Sequence, residues 1–174
     1  MSIHIALLRA VNVGGTGKLP MSELRSICES LGFSAVRTYI ASGNVVFDSP
    51  LSEAEVKARL ERRLEEYAGK QVGVLLRSAA EMAAVAAANP FPDAAANRTV
   101  AIFLDRAPPA DALEHVSGRG EEEIALGVRE IYVHYGSGMA NSKLKIAAAR
   151  PGTARNMNTV ATLARWAATA AGLD

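Results

Sequence analysis

Residues 36–47 read Val36-Arg-Thr-Tyr-Ile-Ala-Ser-Gly-Asn-Val-Val-Phe47, and this pattern predicts two strands joined by a tight turn. The flanking segments, Val36–Ala41 and Asn44–Asp48, are rich in the β-branched and aromatic residues that favour strands. The pair Ser42-Gly43 between them is typical of a hairpin turn. We therefore expect an antiparallel sheet in the first half of the chain.

Patterns on either side of this hairpin predict the element order βαββαβ for the first half. The additional elements are a strand at Ile3–Arg9, a helix through Leu24–Leu31, a helix that begins after Ser52 and a strand through Val72–Leu76. Ser52 and Glu55 have the spacing of a capping box, which fixes the start of the second helix. This order is typical of the split βαβ, or ferredoxin-like, unit.

The second half repeats the order incompletely. Its predicted elements are a helix at Ser78–Ala88, a strand at Thr99–Leu104, a short helix near Ala110, strands at Glu123–Val128 and Glu130–Tyr135, and a helix at Thr159–Ala171. After the linking helix the order is βαββα, one strand short of the first half. We predict an α+β chain formed by a tandem duplication of two ferredoxin-like units, the second degenerate. Residues 1–77 form the first, and residues 78–174 hold the linker helix, the second unit and the C-terminal helix, packed as one globular body.

Composition limits the classes of function. The chain has 174 residues, 49% hydrophobic and 21% charged, which favours a folded protein over a disordered one. A net charge of +1 excludes a polyanion binder that is basic all over, but it leaves room for a local basic site. One cysteine and three histidines favour neither a disulfide framework nor a metal centre, so we predict no metal and no cofactor. No targeting segment or membrane span is expected, and we predict a cytoplasmic protein.

A glycine-rich loop, Asn12-Val-Gly-Gly-Thr-Gly-Lys18, follows the first predicted strand. It lacks the first glycine and the final hydroxyl residue of the Walker pattern, and Pro20 stands where a dinucleotide motif has its third glycine. Glycine-rich backbone N–H groups and a lysine near a helix start can still hold an anion. The alternative is a plain loop that connects strand to helix.

The C-terminal segment is basic. From residue 136 onward it contains Lys143, Lys145, Arg150, Arg155 and Arg165 against a single acid, Asp174. Arg155 and Asn156 precede the last predicted helix, so a cation and free backbone N–H groups would meet at its positive end. The alternative is ordinary capping by Asn156 or Asn158, with Arg155 in solvent. The run Glu121–Glu123 is interpreted as a solvated turn, because acid–base catalysis needs opposed carboxylates.

Strand alternation predicts a polar face on each sheet. In the hairpin, Val36, Thr38 and Ile40 are expected to face the helices. Arg37 and Tyr39 are expected to face the opposite side. Tyr132 and His134 share a predicted face of a later strand in the same way. Basic and aromatic groups on an open sheet are typical of modules that stack RNA bases. The matching RNA-binding motif is absent, and burial of this face is the alternative.

Five sequence blocks, spread over almost the whole chain, follow one family pattern. They are Leu7-Leu-Arg-Ala-Val-Asn-Val-Gly-Gly, Val36–Phe47, Asn89-Pro-Phe, Asn141-Ser-Lys-Leu and Thr153-Ala-Arg-Asn-Met-Asn-Thr-Val. Together they resemble the DUF1697 family of uncharacterised bacterial proteins. The family usually has glycine where this chain has Ala10 and tryptophan where it has Met157. The resemblance implies a duplicated ferredoxin-like fold and no established activity.

The same blocks select a set of candidate ligand-binding residues, most of them polar. These are Arg9, Asn12, Gly14, Gly15, Arg37, Tyr39, Ser42, Asn44, Ser142, Lys143, Arg155 and Asn156. Four are cations and none is a carboxylate, which favours an anionic ligand over acid–base catalysis. We predict that Arg9, Lys143 and Arg155 border an anion-binding cleft between the glycine loop and the start of the last helix.

Three classes of function fit this pattern. The first is a binding module for an anionic, phosphate-bearing ligand such as a nucleotide or a nucleic-acid strand. The second is an enzyme that acts on a phosphorylated or carboxylated small molecule, with Lys143 or Tyr39 as proton carrier. The third is a scaffold or interaction protein whose polar blocks are structural. The sequence selects no oligomeric state.

Overall fold

The computed structural model describes residues 2–12 and 18–173, and the chain divides into two compact units. The first contains Met1–Ala83 and Leu163–Asp174, and the second contains Ala84–Thr162. This division differs from the sequence-based one, which assigns the whole C-terminal helix to the second unit. The difference arises because Trp166 packs on Arg37 of the first unit, with the guanidinium carbon 3.4 Å from the ring centroid. Sequence periodicity locates a helix but does not show which sheet it covers.

The first unit follows the predicted order of six elements. Its strands are β1 (Ser2–Leu8), β2 (Ser34–Tyr39), β3 (Asn44–Ser49) and β4 (Val74–Ser78), and its helices are α1 (Met21–Ser30), α2 (Glu53–Ala68) and the start of α3 (Ala79–Ala87). The sheet order is β2-β3-β1-β4, and every neighbouring pair is antiparallel. The antiparallel α+β architecture expected from the sequence is confirmed.

The core of this unit contains the apolar stripes of α1 and α2 together with one face of the sheet. The stripe residues are Leu24, Ile27 and Cys28 of α1 and Val56, Leu60 and Leu64 of α2, all at most 2% exposed. Each fully buried aliphatic side chain of this size contributes about 1.5–3 kcal/mol. Burial raises the pKa of the Cys28 thiol to about 12, so the cysteine acts as a small core residue.

The capping of helix α2 explains where it begins and where it ends. The Ser52 hydroxyl accepts a hydrogen bond from the Glu55 N–H at 3.2 Å, which confirms the predicted start. At the other end Gly69 adopts a left-handed φ of 73°, and its N–H donates to the Glu65 carbonyl at 2.8 Å. Glycine reaches this conformation without the steric penalty of a Cβ, so the helix stops after Ala68.

The second unit holds a four-stranded sheet and a two-stranded ladder. Its strands are β5 (Thr99–Phe103), β6 (Val116–Ser117), β7 (Glu123–Leu126), β8 (Glu130–His134), β9 (Lys145–Ile146) and β10 (Thr153–Asn156), and helix α4 (Met157–Ala170) begins here. The larger sheet has the antiparallel order β10-β5-β8-β7, and β6 pairs with β9. Buried side chains of β5 and β8, such as Val100 and Val133, form its core.

Two predictions about these elements are wrong. The second half is not one strand short, because Thr153–Asn156 forms β10 and pairs with β5. The sequence Thr-Ala-Arg-Asn has no apolar alternation, so only its pairing with β5 identifies it as a strand. Ile40 does not face the helices, since β2 ends at Tyr39 and Ile40 has a φ of 48° and is 49% exposed.

No helix within residues 2–12 and 18–173 is long and apolar enough to cross a membrane.

Candidate functional site

A pocket of about 520 Å³ lies in the first unit, beside the residues that flank the glycine loop. Its walls come from residues 9–11 after β1, from Lys18 and Leu19, and from the last turn of α2 with residues 70–73. This volume falls within the range of small-molecule sites, about 300–1,000 Å³. The pocket is therefore large enough for an organic ligand rather than a single ion.

Three cations line the pocket: Arg9, Lys18 and Lys70. Among the lining residues that the structure describes, none is an aspartate or glutamate. The C-terminal end of α2, which also lines the pocket, carries a partial charge of about −0.5. The charges of the three side chains exceed this partial charge, so the described walls are net positive and favour an anion.

Most of the other residues that line the pocket are apolar. Val11, Leu19, Leu64 and Val72 line it and are each at most 8% exposed, because they also belong to the core of the first unit. Tyr67 differs from them, since it is 44% exposed on the last turn of α2. The lining thus combines three cations with apolar side chains and one exposed aromatic ring.

Asn12 holds the two ends of the glycine loop together. Its amide oxygen accepts from the Leu19 N–H at 2.6 Å, and its amide nitrogen donates to the carbonyls of Leu19 and Ala41, both at 2.8 Å. Arg9 is held in a similar way, because its backbone N–H donates to the Gly73 carbonyl at 2.8 Å. These bonds fix two walls of the pocket relative to each other.

The turn after β2 packs against Val11, one of the residues that line the pocket. The Asn44 side chain is fully buried, and its amide nitrogen donates to the Tyr39 carbonyl and to the Ser42 hydroxyl, both at 2.9 Å. Gly43 has a φ of 89°, and a Cβ at this position would lie 2.8 Å from Cγ2 of Val11. The turn therefore requires glycine and supports Val11, a residue of the pocket wall.

Arg37 and Tyr39 contact Trp166, a residue that the sequence analysis did not single out. The guanidinium carbon of Arg37 lies 3.4 Å from the Trp166 ring centroid, and the Tyr39 ring meets the indole edge-on with centroids 5.1 Å apart. In the second unit Tyr132 is 2% exposed and its hydroxyl donates to the Val85 carbonyl at 3.0 Å. Tyr132 is therefore buried, whereas Arg37 stays exposed beside Trp166.

Ser142 contacts Glu122, and this contact corrects the interpretation of residues 121–123 as a solvated turn. Glu122 is only 5% exposed. Its carboxylate accepts from the Ser142 hydroxyl at 2.6 Å and from the Gly120 N–H at 2.5 Å. These bonds, the Ser142 bond first, lower the pKa of Glu122 below its ordinary value. Glu121 likewise accepts from both the N–H and the hydroxyl of Ser137.

The predicted cation at the start of the last helix is not in solvent. Arg155 is 6% exposed, and its guanidinium donates to the Thr153 hydroxyl at 2.8 Å and to the Ala154 carbonyl at 2.9 Å. Burial lowers its pKa to about 10. The Asn156 side chain accepts from the Thr159 N–H at 3.0 Å, so it caps α4 as the second interpretation expected.

The predicted residues fall into several groups. Arg9 lines the pocket, Asn12 bonds across the base of the glycine loop, and Ser42 and Asn44 lie in the turn that supports Val11. Arg37 and Tyr39 lie against Trp166. The second unit contains Ser142, Lys143, Arg155 and Asn156, and Gly14 and Gly15 are outside the described residues. The cleft bordered by Arg9, Lys143 and Arg155 stays a prediction. The candidate set missed Lys18, Tyr67 and Lys70. The local signals were the place of Lys18 at the end of the glycine loop and that of Lys70 directly after Gly69.

Comparison with known proteins identifies the family. Residues 1–132 match the family model described as a protein of unknown function, DUF1697. The chain belongs to the DUF1697 family. Two of the five blocks, at residues 141–144 and 153–160, lie beyond the DUF1697 match. No curated protein matches the chain.

A solved structure shares the architecture of this DUF1697 protein. It is described as a conserved bacterial protein from Streptococcus pneumoniae, and the two chains are 26% identical with a TM-score of 0.78. The similarity covers 94% of this chain and 97% of the other. The structural similarity therefore extends past residue 132, where the DUF1697 match ends.

Proposed function

We propose that this DUF1697 protein binds a small anionic, phosphate-bearing ligand in the pocket of its first unit. The observation that supports this proposal is the set of three cations, Arg9, Lys18 and Lys70, around a cavity of about 520 Å³. Arginine offers a planar fork for two phosphate oxygens, and each lysine acts as a compact positive charge. No described lining residue carries a negative charge that would oppose the ligand.

The glycine loop supports the same proposal through its sequence. Residues 13–17 read Val-Gly-Gly-Thr-Gly. Of the two residues that flank them, Asn12 bonds to Leu19 and Lys18 lines the pocket. Backbone N–H groups of glycines approach an anion closely because no Cβ intervenes. The loop itself is outside the described residues, so its contribution rests on composition and position.

A structural role for several polar positions is the second candidate, and specific bonds favour it. The side chains of Asn12, Asn44 and Ser142 are bonded to groups of the protein itself, and Arg155 is buried. Such residues position loops and strands rather than contact a ligand. Under this alternative, Arg155→Ala destabilises the fold instead of weakening phosphate binding.

We also infer that the two units are a duplicated ferredoxin-like unit. Numbering the four strands of each larger sheet in chain order gives the same spatial order, 4-1-3-2, for β1–β4 and for β5, β7, β8 and β10. Each fourth strand runs directly into a helix, α3 after Ser78 and α4 after Asn156. Short 3₁₀ turns with β6 and β9 stand where the first unit has α1 and α2.

Calorimetric titration with ribose 5-phosphate tests the binding proposal. We expect saturable binding to the full chain, and Lys18→Ala and Lys70→Ala should each weaken it about tenfold, which corresponds to about 1.4 kcal/mol. Arg9→Lys should retain more affinity than Arg9→Ala, because it keeps the charge but not the fork. Arg106→Ala, an exposed arginine of the second unit, is the matched control. Absence of binding, or equal loss in the control, would contradict the proposal.

A further inference from the structure

We propose that the pocket takes an anion that also carries a flat aromatic ring, of the class of a nucleoside monophosphate. The phosphate pairs with the cationic side chains, and the ring lies against Tyr67. This inference rests on the proposed function, because it specifies the ligand of the same pocket.

The size of the pocket carries the first step. A cavity of about 520 Å³ corresponds to many water volumes, at about 30 Å³ for each water. A bare phosphate would leave most of this space filled with water. The pocket therefore matches a phosphate joined to an organic group.

The mixture of cationic and apolar residues in the lining carries the second step. The cationic side chains Arg9, Lys18 and Lys70 come from exposed positions, whereas Leu64 and Val72 belong to the buried core. A ligand that satisfies both parts has one anionic end and one apolar part. Small-molecule sites commonly combine a mostly apolar lining with a few polar groups that orient the ligand.

Tyr67 identifies the apolar part as a ring. It is a large aromatic side chain, 44% exposed, in a lining whose larger aliphatic side chains are buried. Nucleic-acid-binding proteins stack bases on exposed aromatic side chains of this kind. Gln71, also in the pocket wall, has an amide that can both donate to and accept from the edge of a base.

The same residues favour a single nucleotide over a strand. Proteins that bind single strands present a continuous basic groove with several aromatic side chains for successive bases. Tyr67 is the one aromatic residue among the described residues of this pocket wall. One ring and one phosphate are therefore the expected occupants.

Titration of the full chain with three probes tests this inference. The probes are inorganic phosphate, ribose 5-phosphate and adenosine 5′-monophosphate. We expect the nucleotide to bind at least about tenfold more tightly than ribose 5-phosphate. Tyr67→Ala should remove this advantage, so that the ratio of the two affinities falls toward one, whereas Tyr67→Phe should preserve the ratio. Tyr67→Leu retains apolar area without a ring and should behave like Tyr67→Ala.

The outcomes separate the inference from the function on which it rests. Equal affinity for ribose 5-phosphate and the nucleotide would overturn the inference and leave the anion-binding proposal standing. Failure of all three probes to bind would overturn both. If Tyr67→Ala weakens both organic probes equally while its melting temperature matches that of Tyr67→Phe, the residue does not contact a ring, and the inference is wrong.

Discussion

At the scale of single residues, Ala10 adopts a conformation that alanine disfavours. Its φ is 55°, and it lies in the segment that connects β1 to the glycine loop. A left-handed conformation brings Cβ close to the backbone and costs about 1–2 kcal/mol for a residue other than glycine. Glycine, which the resemblance implies at this position, adopts this conformation without the penalty of a Cβ.

Ala10→Gly should therefore stabilise the protein, by up to about 1 kcal/mol. Relief of the strain exceeds the extra chain entropy that glycine loses on folding, about 0.5–1 kcal/mol. Equilibrium unfolding in urea measures the difference. Ala58→Gly is the matched control, because Ala58 is an exposed residue inside α2, where glycine should lower the free energy of unfolding by about 1 kcal/mol. Equal losses in both variants would contradict the explanation.

The sequence selected important polar residues more reliably than it assigned their contacts. Asn12 was chosen as a ligand-binding residue because it lies in one of the five blocks that resemble the family pattern. Its amide instead bonds to backbone groups of Leu19 and Ala41. A sequence shows that an amide is present, but it does not show that a backbone carbonyl twenty-nine residues away occupies it. Glu122 was misinterpreted for the same reason, since its partner Ser142 is twenty residues distant.

At the scale of elements, local patterns predicted what depends on local chemistry. Helix α2 was found from its cap and its apolar stripe, both of which lie within the helix. Strand β10 was missed because its pairing with β5 defines it, through contacts such as Arg155 with Ala101. The packing of α4 on β2 was missed for the same reason. Trp166 lies on an Ala-rich helix, and nothing nearby in sequence indicates Arg37 as its partner.

Arg37→Ala should loosen the packing of α4 on β2. A cation over an exposed aromatic face is worth about 0.5–1 kcal/mol, so we expect a loss of this size in unfolding free energy. Trp166 is the only tryptophan of the chain, so the tryptophan fluorescence emission reports this contact directly. In Arg37→Ala the emission maximum should shift to the red.

Two further variants separate this contact from a general effect of charge. Arg37→Lys should recover part of the loss, because the charge remains while the planar stacking surface does not. Arg62→Ala removes an arginine whose side chain is 83% exposed on α2 and should leave both stability and emission nearly unchanged. An unchanged emission spectrum in Arg37→Ala would show that the contact does not persist in solution.

At the scale of the whole molecule, most of the shifted ionisable groups belong to the second unit, and they make stability depend on pH. Burial raises the pKa of Tyr132 to about 12, so its contribution is present below pH 10 and is lost as pH rises through 12. Burial lowers the pKa of Arg155 to about 10. Above that pH the folded state loses this buried charge, so Arg155 makes stability rise with pH, opposite to Tyr132. In the acid range Glu121 and Glu122 both have lowered pKa values, so each contributes stability that is lost as pH falls.

Glu122→Gln should destabilise the protein at neutral pH and much less in acid. A lowered pKa in the folded state means that the carboxylate contributes stability above its ordinary value of 4.5 and loses it as pH falls. Glutamine offers one acceptor oxygen, whereas the carboxylate accepts from both Ser142 and the Gly120 N–H, so one donor loses its partner. Urea unfolding at neutral pH and below pH 4.5 measures the difference between variant and wild type.

Ser142→Ala provides an independent check on the same prediction, because it removes the largest cause of the lowered pKa. The pKa of Glu122 should then rise toward its ordinary value, so the stability lost between neutral pH and acid should be smaller than in the wild type. Glu123→Gln changes an exposed neighbour at the start of β7 and should alter stability by less than about 0.5 kcal/mol. If Glu122→Gln and Glu123→Gln behave alike at every pH, the Glu122–Ser142 bond does not stabilise the loop that carries Lys143.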